Sequence, residues 1–296
     1  MARKHSKNRF LIFVVTTAVT VGVIVLSLAV QMLNEYFNDV PAGTLRVHII
    51  DVGNADAILL TCDDQAMLID AGENPDGDEV VAYLRRNGVE KLNFLVATHP
   101  DADHIGGMDV VINNIFVDTF IMPIMPEKAT PTSQTYIDLL EAIDKNNLEI
   151  IEPVPGMTWT LGAAGVTVLA PVGVFDDTND MSVVIKVVNG RNKFLFMGDA
   201  EKAAEEALLA SGVGLEADFI KVGHHGSKTS TSVRLLEAVR PRYAAITCGE
   251  SNRYGHPHLD TMRKLRDFDV EVFRSDINGN IVVSSDGDII MVDVQK

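Results

Sequence analysis

The sequence predicts an α+β domain, two β-sheets with helices on their outer faces, preceded by one N-terminal transmembrane helix. Three observations lead there. Hydrophobic residues fill 47% of the 296 positions, ample for a large core. From Leu45 onward, short apolar runs follow one another in meanders, with helical patterns interspersed and turn residues between them. Near the N-terminus, "FLIFVVTTAVTVGVIVLSLAV" covers residues 10–30 without a charge.

That last run is long enough to cross a hydrocarbon layer, which takes about 20 residues. Arg3, Lys4, Lys7 and Arg9 precede it with no acid among them. The positive-inside rule makes residues 1–9 a cytoplasmic stub and puts the remainder outside the cytoplasm. A cleaved export signal is the alternative, with Ser27-Leu28-Ala29 as a weak cleavage site. Signal cores usually run about 7–15 residues, shorter than this one. Residues 31–44, with Pro41 and Gly43, form a linker, and 45–296 read as one domain. The expected location is the cell membrane, single-pass, or secretion if the segment is cleaved.

Formal net charge is −16; without the four basic residues of the stub, 21 Lys and Arg face 41 Asp and Glu, about −20. Such a surface repels polyanions and argues against broad, non-specific nucleic-acid binding. A local cationic site or a bound metal can still accept a phosphate. Cys62 and Cys248 lie far apart in apolar, strand-like settings, so buried thiols are expected, and two cysteines build no thiolate metal site.

The elements follow in order. Apolar runs bounded by turn residues predict strands at 45–50, 57–61 and 66–70. A helical pattern over 79–87 is ended by Gly88, and a strand at 94–97 leads into a loop and a helix over 106–114. A strand near 118–122 and a helix over 132–146 come next, then strands at 149–151, 158–161, 166–170, 182–188 and 192–197. The rest reads as helix 200–211, strand 217–222, helix 231–239, strand 243–247, helix 259–267, and strands at 270–274, 280–284 and 288–292.

Chemistry concentrates in four loops. "VATHPDADHIGG" (96–107) leaves an apolar strand and offers His99, Asp101, Asp103 and His104. In an extended loop, positions 99, 101 and 103 point one way while 104 turns as a helix begins, so two adjacent ions could be gripped. Gly106 and Gly107 let the backbone pass close beneath. Helix capping would use Asp101 or Asp103, but has no need of two histidines. "FLFMGDAEKAAEE" (194–206) ends a strand at Asp199, placed either to bridge metals or to cap the next helix. "IKVGHHGSKTS" (220–230) ends another strand in His224, His225, Gly226 and hydroxyls; one imidazole is expected on metal and the other on substrate or a proton. "NRYGHPH" (252–258) adds His256 and His258. Six of the eight histidines fall in these loops, which favours a place for the fourth beside the site.

These motifs resemble the metallo-β-lactamase superfamily, with its H-x-H-x-D-H signature and distant His and Asp ligands. Within it they are most similar to the metallo-hydrolase domain of ComEC-type DNA-internalisation competence proteins. "HIIDVGNADAILL" (48–60) resembles that family's D-V-G-Q-G-D opening, departing at Asn54 and Ala55. "MLIDAG" (67–72) matches the superfamily's supporting Asp at Asp70. "THPDADHIGG" carries Asp where other members have the second His, and "NDMSVVI" (179–185) puts Asn179 and Ser182 in place of the third-His segment. The resemblance covers about residues 45–292 and implies an αββα sandwich with metals at one edge. The multi-helix channel of full-length competence proteins is missing, so a separate uptake channel is the partner this implies.

Carried over by position, one metal would be held by Asp103, His104, bridging Asp199 and His225, and a second by His99, Asp101 and Asp199. Oxygen-rich donors make the second site harder, so one or two divalent ions are expected, zinc or manganese. Asp103 would also orient the nucleophile. His224, His256 or Lys228 would neutralise a leaving group or hold a phosphate, with Ser227, Thr229, Ser230, Asn179, Ser182 and His258 in the substrate-binding set. The resemblance implies metal-assisted hydrolysis of a phosphodiester, with DNA as the substrate of a nuclease. Two alternatives stand beside it: hydrolysis of another ester (a cell-wall phosphoester, lactone or β-lactam), and a non-catalytic surface module that binds a partner. Oligomeric state is not legible.

Overall fold

A computed structural model of the chain describes residues 41–296. The anchor or signal at 10–30 lies outside the described residues, as do the stub and most of the linker. Among the described residues, no helix is long and apolar enough to cross a membrane.

Two sheets form the centre. The first has eight strands in the order β15-β14-β1-β2-β3-β4-β5-β6. These are β1 (Leu45–Ile49), β2 (Ile58–Cys62), β3 (Gln65–Ile69), β4 (Lys91–Val96), β5 (Phe116–Ile121), β6 (Ile150–Ile151), β14 (Ile281–Ser285) and β15 (Ile290–Val294). The second has seven, β13-β12-β11-β10-β9-β8-β7. They are β7 (Thr158–Leu161), β8 (Ala164–Ala170), β9 (Val184–Asn189), β10 (Asn192–Phe196), β11 (Phe219–Lys221), β12 (Tyr243–Ile246) and β13 (Glu271–Arg274). Helices α1 (Gly77–Arg86), α2 (Ala102–Ile105), α3 (Met108–Asn114) and α4 (Gln134–Lys145) fall in the first half. The second half holds α5 (Lys202–Ala210), α6 (Val233–Val239), α7 (Leu259–Asp267) and α8 (Ser275–Asn278).

Strand alternation explains the layers. Leu45, Val47 and Ile49 of β1 face an inter-sheet core with Val166, Ile185, Phe194 and Phe219. The opposite face of the first sheet, with Leu59, Leu68 and Leu95, packs against Val80 and Leu84 of α1 and Val111 of α3. Leu195, Ile220 and Ala244 turn the other way in the second sheet, onto Leu208 of α5 and Leu235 of α6. Strands buried on both faces need continuous apolar runs, which is why β2 reads ILLTC and β10 reads NKFLF. Each such large side chain contributes about 1.5–3 kcal/mol on burial. The result is the expected αββα arrangement.

Each sheet changes from antiparallel to parallel part-way across. Strands β3 to β6 are parallel in one, and β10 to β13 in the other. Parallel strands send their C-terminal loops to one edge, where open sheets build sites. Asp70 follows β3, His99 to His104 follow β4, Asp199 follows β10 and His225 follows β11. A bond from Val183 N–H to the Thr98 carbonyl, 2.9 Å, joins the loops of the two sheets.

The ligand loop departs from the extended reading. Asp101 is extended, but α2 begins at Ala102, so Asp103 and His104 sit on a short helix. The helix expected over 106–114 accordingly begins only at Met108, with Gly106 and Gly107 between it and α2. A Cβ at Gly106 would lie 2.3 Å from Asn74 N, and one at Gly107 2.3 Å from the Ala71 carbonyl oxygen. Only glycine permits that approach.

Candidate metal centre

Four donors converge from both sheets. Asp199 Oδ1 lies 3.4 Å from His104 Nε2, and Asp199 Oδ2 lies 3.5 Å from His225 Nε2. Asp103 Oδ2 is 3.4 Å from His225 Nε2. Asp103, His104, Asp199 and His225 each offer an atom within 4.8 Å of the others. Neighbouring donors around an ion with bonds of about 2.1 Å would stand about 3.4 Å apart in a tetrahedron, so the spacing fits a divalent cation.

Polar satisfaction fits as well. The Nε2 atoms of His99, His104 and His225 and Oδ1 of Asp199 are buried without a hydrogen-bond partner. An unmet buried polar group costs about 1–3 kcal/mol, so four in one place call for a ligand. The far side of each ring, by contrast, is held. His104 Nδ1 meets Asp70 Oδ2 at 2.8 Å, and Asp70 also accepts from the Thr98 N–H and hydroxyl at 2.8 and 2.7 Å. His225 Nδ1 lies 3.0 Å from the Thr247 carbonyl oxygen. Donation from Nδ1 turns each Nε2 toward the cluster, where a cation would take the place of its proton.

Electrostatics follow from this crowding. Burial pushes the His104 imidazole down, but the carboxylates of Asp199, Asp70 and Asp103 outweigh it and hold it well above its ordinary value. Burial likewise opposes ionisation of Asp199, yet His225 and His104 keep its carboxyl well below the usual range. His99, buried beside His104, is lowered to about 4.

The turn that brings in His225 is unusual. His224 and His225 both have left-handed backbones, with φ of 47° and 50°. That conformation costs about 1–2 kcal/mol per non-glycine residue, and such strain clusters at functional sites. It lets both rings face Asp199. His224 Nε2 is 3.6 Å from Asp199 Oδ2, while its Nδ1 is 2.8 Å from Glu201 Oε1.

The remaining expected residues divide. His99 Nε2 is 3.8 Å from Asp101 Oδ2; among the described residues neither belongs to the two donor groups that close to within 4.8 Å, Asp103–His104–Asp199–His225 and Asp56–Asp70–His104. Asp101 makes no capping bond with its side chain, and α5 is capped at Glu201 rather than Asp199. Ser182 is fully buried; its hydroxyl accepts from the Asp199 N–H at 3.0 Å, so it positions a donor and cannot reach substrate. Ser230 is buried and donates to the Gly223 carbonyl at 2.7 Å, which makes it part of the turn instead of a substrate contact. Ser227 and Thr229 share a 2.8 Å bond, and Thr229 donates to Glu201 at 2.7 Å. Asn179 Nδ2 lies 3.4 Å from His224 Nδ1. His258 accepts from the Lys228 N–H at 3.1 Å, leaving the Lys228 side chain exposed at the rim. His256 stacks over His225 with centroids 6.1 Å apart; burial, then His225 and His224, lower it to about 4.

Four residues carry no role in the motif reading, Glu201, Thr247, Asp56 and Lys221, although Asp56 lies within the 48–60 motif and Lys221 within the 220–230 segment. Glu201 stands two positions after Asp199 within the quoted segment, and that spacing was its only signal.

The comparisons with known proteins agree with the geometry. A family model described as "Metallo-beta-lactamase superfamily" matches residues 50–250. The chain belongs to this superfamily. Among curated relatives, ComE operon protein 3 of Bacillus subtilis is 29% identical over 80% of this chain and 32% of its own length. Recombination protein 2 of Haemophilus influenzae is 31% identical over 89% of this chain and 31% of its own. Competence protein ComA of Neisseria gonorrhoeae is 28% identical over 81% of this chain. The chain thus spans about a third of the length of these relatives. A solved structure, CmlA, a diiron β-hydroxylase from Streptomyces venezuelae, superposes with a TM-score of 0.54 at 12% identity. It covers 82% of this chain and 54% of CmlA, and shows the fold alone.

Proposed function

We propose that this chain is a metal-dependent phosphodiesterase that cleaves DNA. One observation carries the hydrolase part: the Asp103–His104–Asp199–His225 cluster, with unpartnered donor atoms at cation-binding spacing. The choice of DNA is supported by relatives named as competence and recombination proteins. A divalent ion at this cluster, zinc or manganese, would lower the pKa of a bound water from 15.7 toward about 7 and take up charge on a phosphoryl oxygen.

The chain's own groups supply the rest. The Asp103 carboxylate, kept well below the usual range by His104 and His225 against its burial, accepts a hydrogen bond from the attacking water and aims it. His224, oriented by Glu201 through Nδ1, presents Nε2 to the leaving oxygen and delivers a proton there. Lys228 at the rim attracts the substrate's phosphates, a local cation on an acidic protein. We place the domain outside the cytoplasm behind a single N-terminal anchor; the uncharged run at 10–30 and its basic flank support this.

The test is full-chain protein with Mn²⁺ or Zn²⁺, given a DNA oligonucleotide, a small chromogenic phosphodiester and a chromogenic β-lactam, beside Asp199→Ala. DNA cleavage lost in the variant supports the proposal. Turnover of the β-lactam alone, or no turnover with either metal, overturns it.

A further inference from the structure

Beneath His225 lies a pair of opposite charges that the hydrolytic reading leaves unused. Lys221 is 0% exposed, and Asp56 is 1% exposed. Alternation along β11 sends Phe219 and Lys221 between the sheets, so the ammonium has no route to water. Lys221 Nζ donates to Asp56 Oδ2 at 2.9 Å and to the Val222 carbonyl at 3.0 Å. A buried ion pair with few other partners is often replaceable by apolar residues, so its presence asks for a task.

The second oxygen of Asp56 supplies one. Oδ1 accepts a hydrogen bond from the Thr247 hydroxyl and lies 3.5 Å from His225 Nδ1. With its proton directed to Asp56, the Thr247 oxygen turns its lone pairs toward His225 Nδ1, 3.1 Å away. The Thr247 carbonyl accepts from the same nitrogen at 3.0 Å. The backbone of Asp56 ties in the other loops: its N–H donates to the Asp103 carbonyl at 3.0 Å, and its carbonyl accepts from Gly72 N–H at 2.8 Å. Asp56 therefore touches the segments of Asp70, Asp103 and His225 together.

We infer that Asp56, acting through Thr247, is the positioning residue for His225, and that Lys221 holds its carboxylate in place for that purpose. Asp70 does the equivalent for His104 by direct contact. On the His225 side a hydroxyl intervenes, which makes the link testable by removing one oxygen. The inference rests on the cluster being a metal centre.

Zinc affinity of the full chain, read by competition with a chromophoric chelator, tests it, with melting of the chelator-treated proteins alongside. Thr247→Val keeps the shape and removes the hydroxyl; Asp56→Asn removes the charge. Both are expected to weaken zinc about 10–100-fold, the usual effect of losing a ligand's orienting partner. Thr247→Ser, which keeps the hydroxyl, is expected to restore it. Unchanged zinc affinity in folded Thr247→Val overturns the inference. A parent protein that binds no zinc or manganese overturns the metal-centre reading itself. Should Thr247→Val melt far below the parent, the charge-free pair Asp56→Asn with Lys221→Met replaces it. Weakened zinc in that folded variant supports the inference, and parental affinity overturns it.

Discussion

Asp199 Oδ1 and His104 Nε2 face each other at 3.4 Å, buried, and neither bonds to another protein group. Two strands from different sheets deliver them, so their meeting is a property of the whole sandwich. A divalent ion that binds between them should stabilise the fold by mass action. At a free concentration about 100 times Kd, the gain is about 2.7 kcal/mol. For a domain of this size, that is a rise in Tm of about 5–10 °C. Thermal melts with zinc and with excess chelator check this, and Asp199→Ala should show no metal-dependent rise.

His224 and Glu201 separate chemistry from metal binding. His224→Gln should lower kcat about 10²–10⁴-fold, the range for a lost proton donor, with metal content unchanged. Glu201→Gln should give a smaller loss, since the ring keeps its place but loses its charged partner at 2.8 Å. Metal content by emission spectroscopy beside steady-state kinetics distinguishes this from His225→Ala, which should lose metal and activity together.

Away from the site, His48 sets a pH dependence. Burial, with Arg46 adding, lowers its imidazole from 6.5 to about 4. Its Nδ1 meets the Tyr83 hydroxyl at 3.1 Å. The unfolded chain therefore takes up a proton near pH 6.5 that the folded chain refuses until about 4. Its effect on stability is nil above 6.5, and stability falls as pH drops through that window, by about 3 kcal/mol in full. Denaturant titrations between pH 7 and 4.5 should show a shallower acid-side loss in His48→Gln than in the parent.

Gly106 tests the packing under the ligand loop. An added Cβ meets backbone at 2.3 to 2.5 Å from Asn74, Glu73 and Ala102. None of these is a flexible side-chain end, so Gly106→Ala should destabilise by about 1–3 kcal/mol or more. Chemical denaturation of the metal-free protein measures it directly.

The donors were legible because each lies in a short, compositionally odd segment at the end of an apolar strand. His99, Asp103 and His104 sit within six positions, and Asp199 and His225 each close a strand. Strand positions were legible for the same reason, from Val-, Ile- and Leu-rich runs. The onset of α2 was not, because Asp-Ala-Asp alternates like an extended segment and only the fold bends it at Ala102. Nor could sequence pair Asp56 with Lys221, or Ser182 with Asp199. Those partners come from separate segments of the chain, and only the closed sandwich brings them together.

The central claim is that one divalent ion sits among Asp103, His104, Asp199 and His225. Anomalous diffraction from crystals grown with manganese or zinc addresses it most directly. The account predicts a single strong peak within about 2.0–2.3 Å of donor atoms from all four residues. Metal-soaked crystals with no peak there, or with the only ordered ion elsewhere, would contradict it.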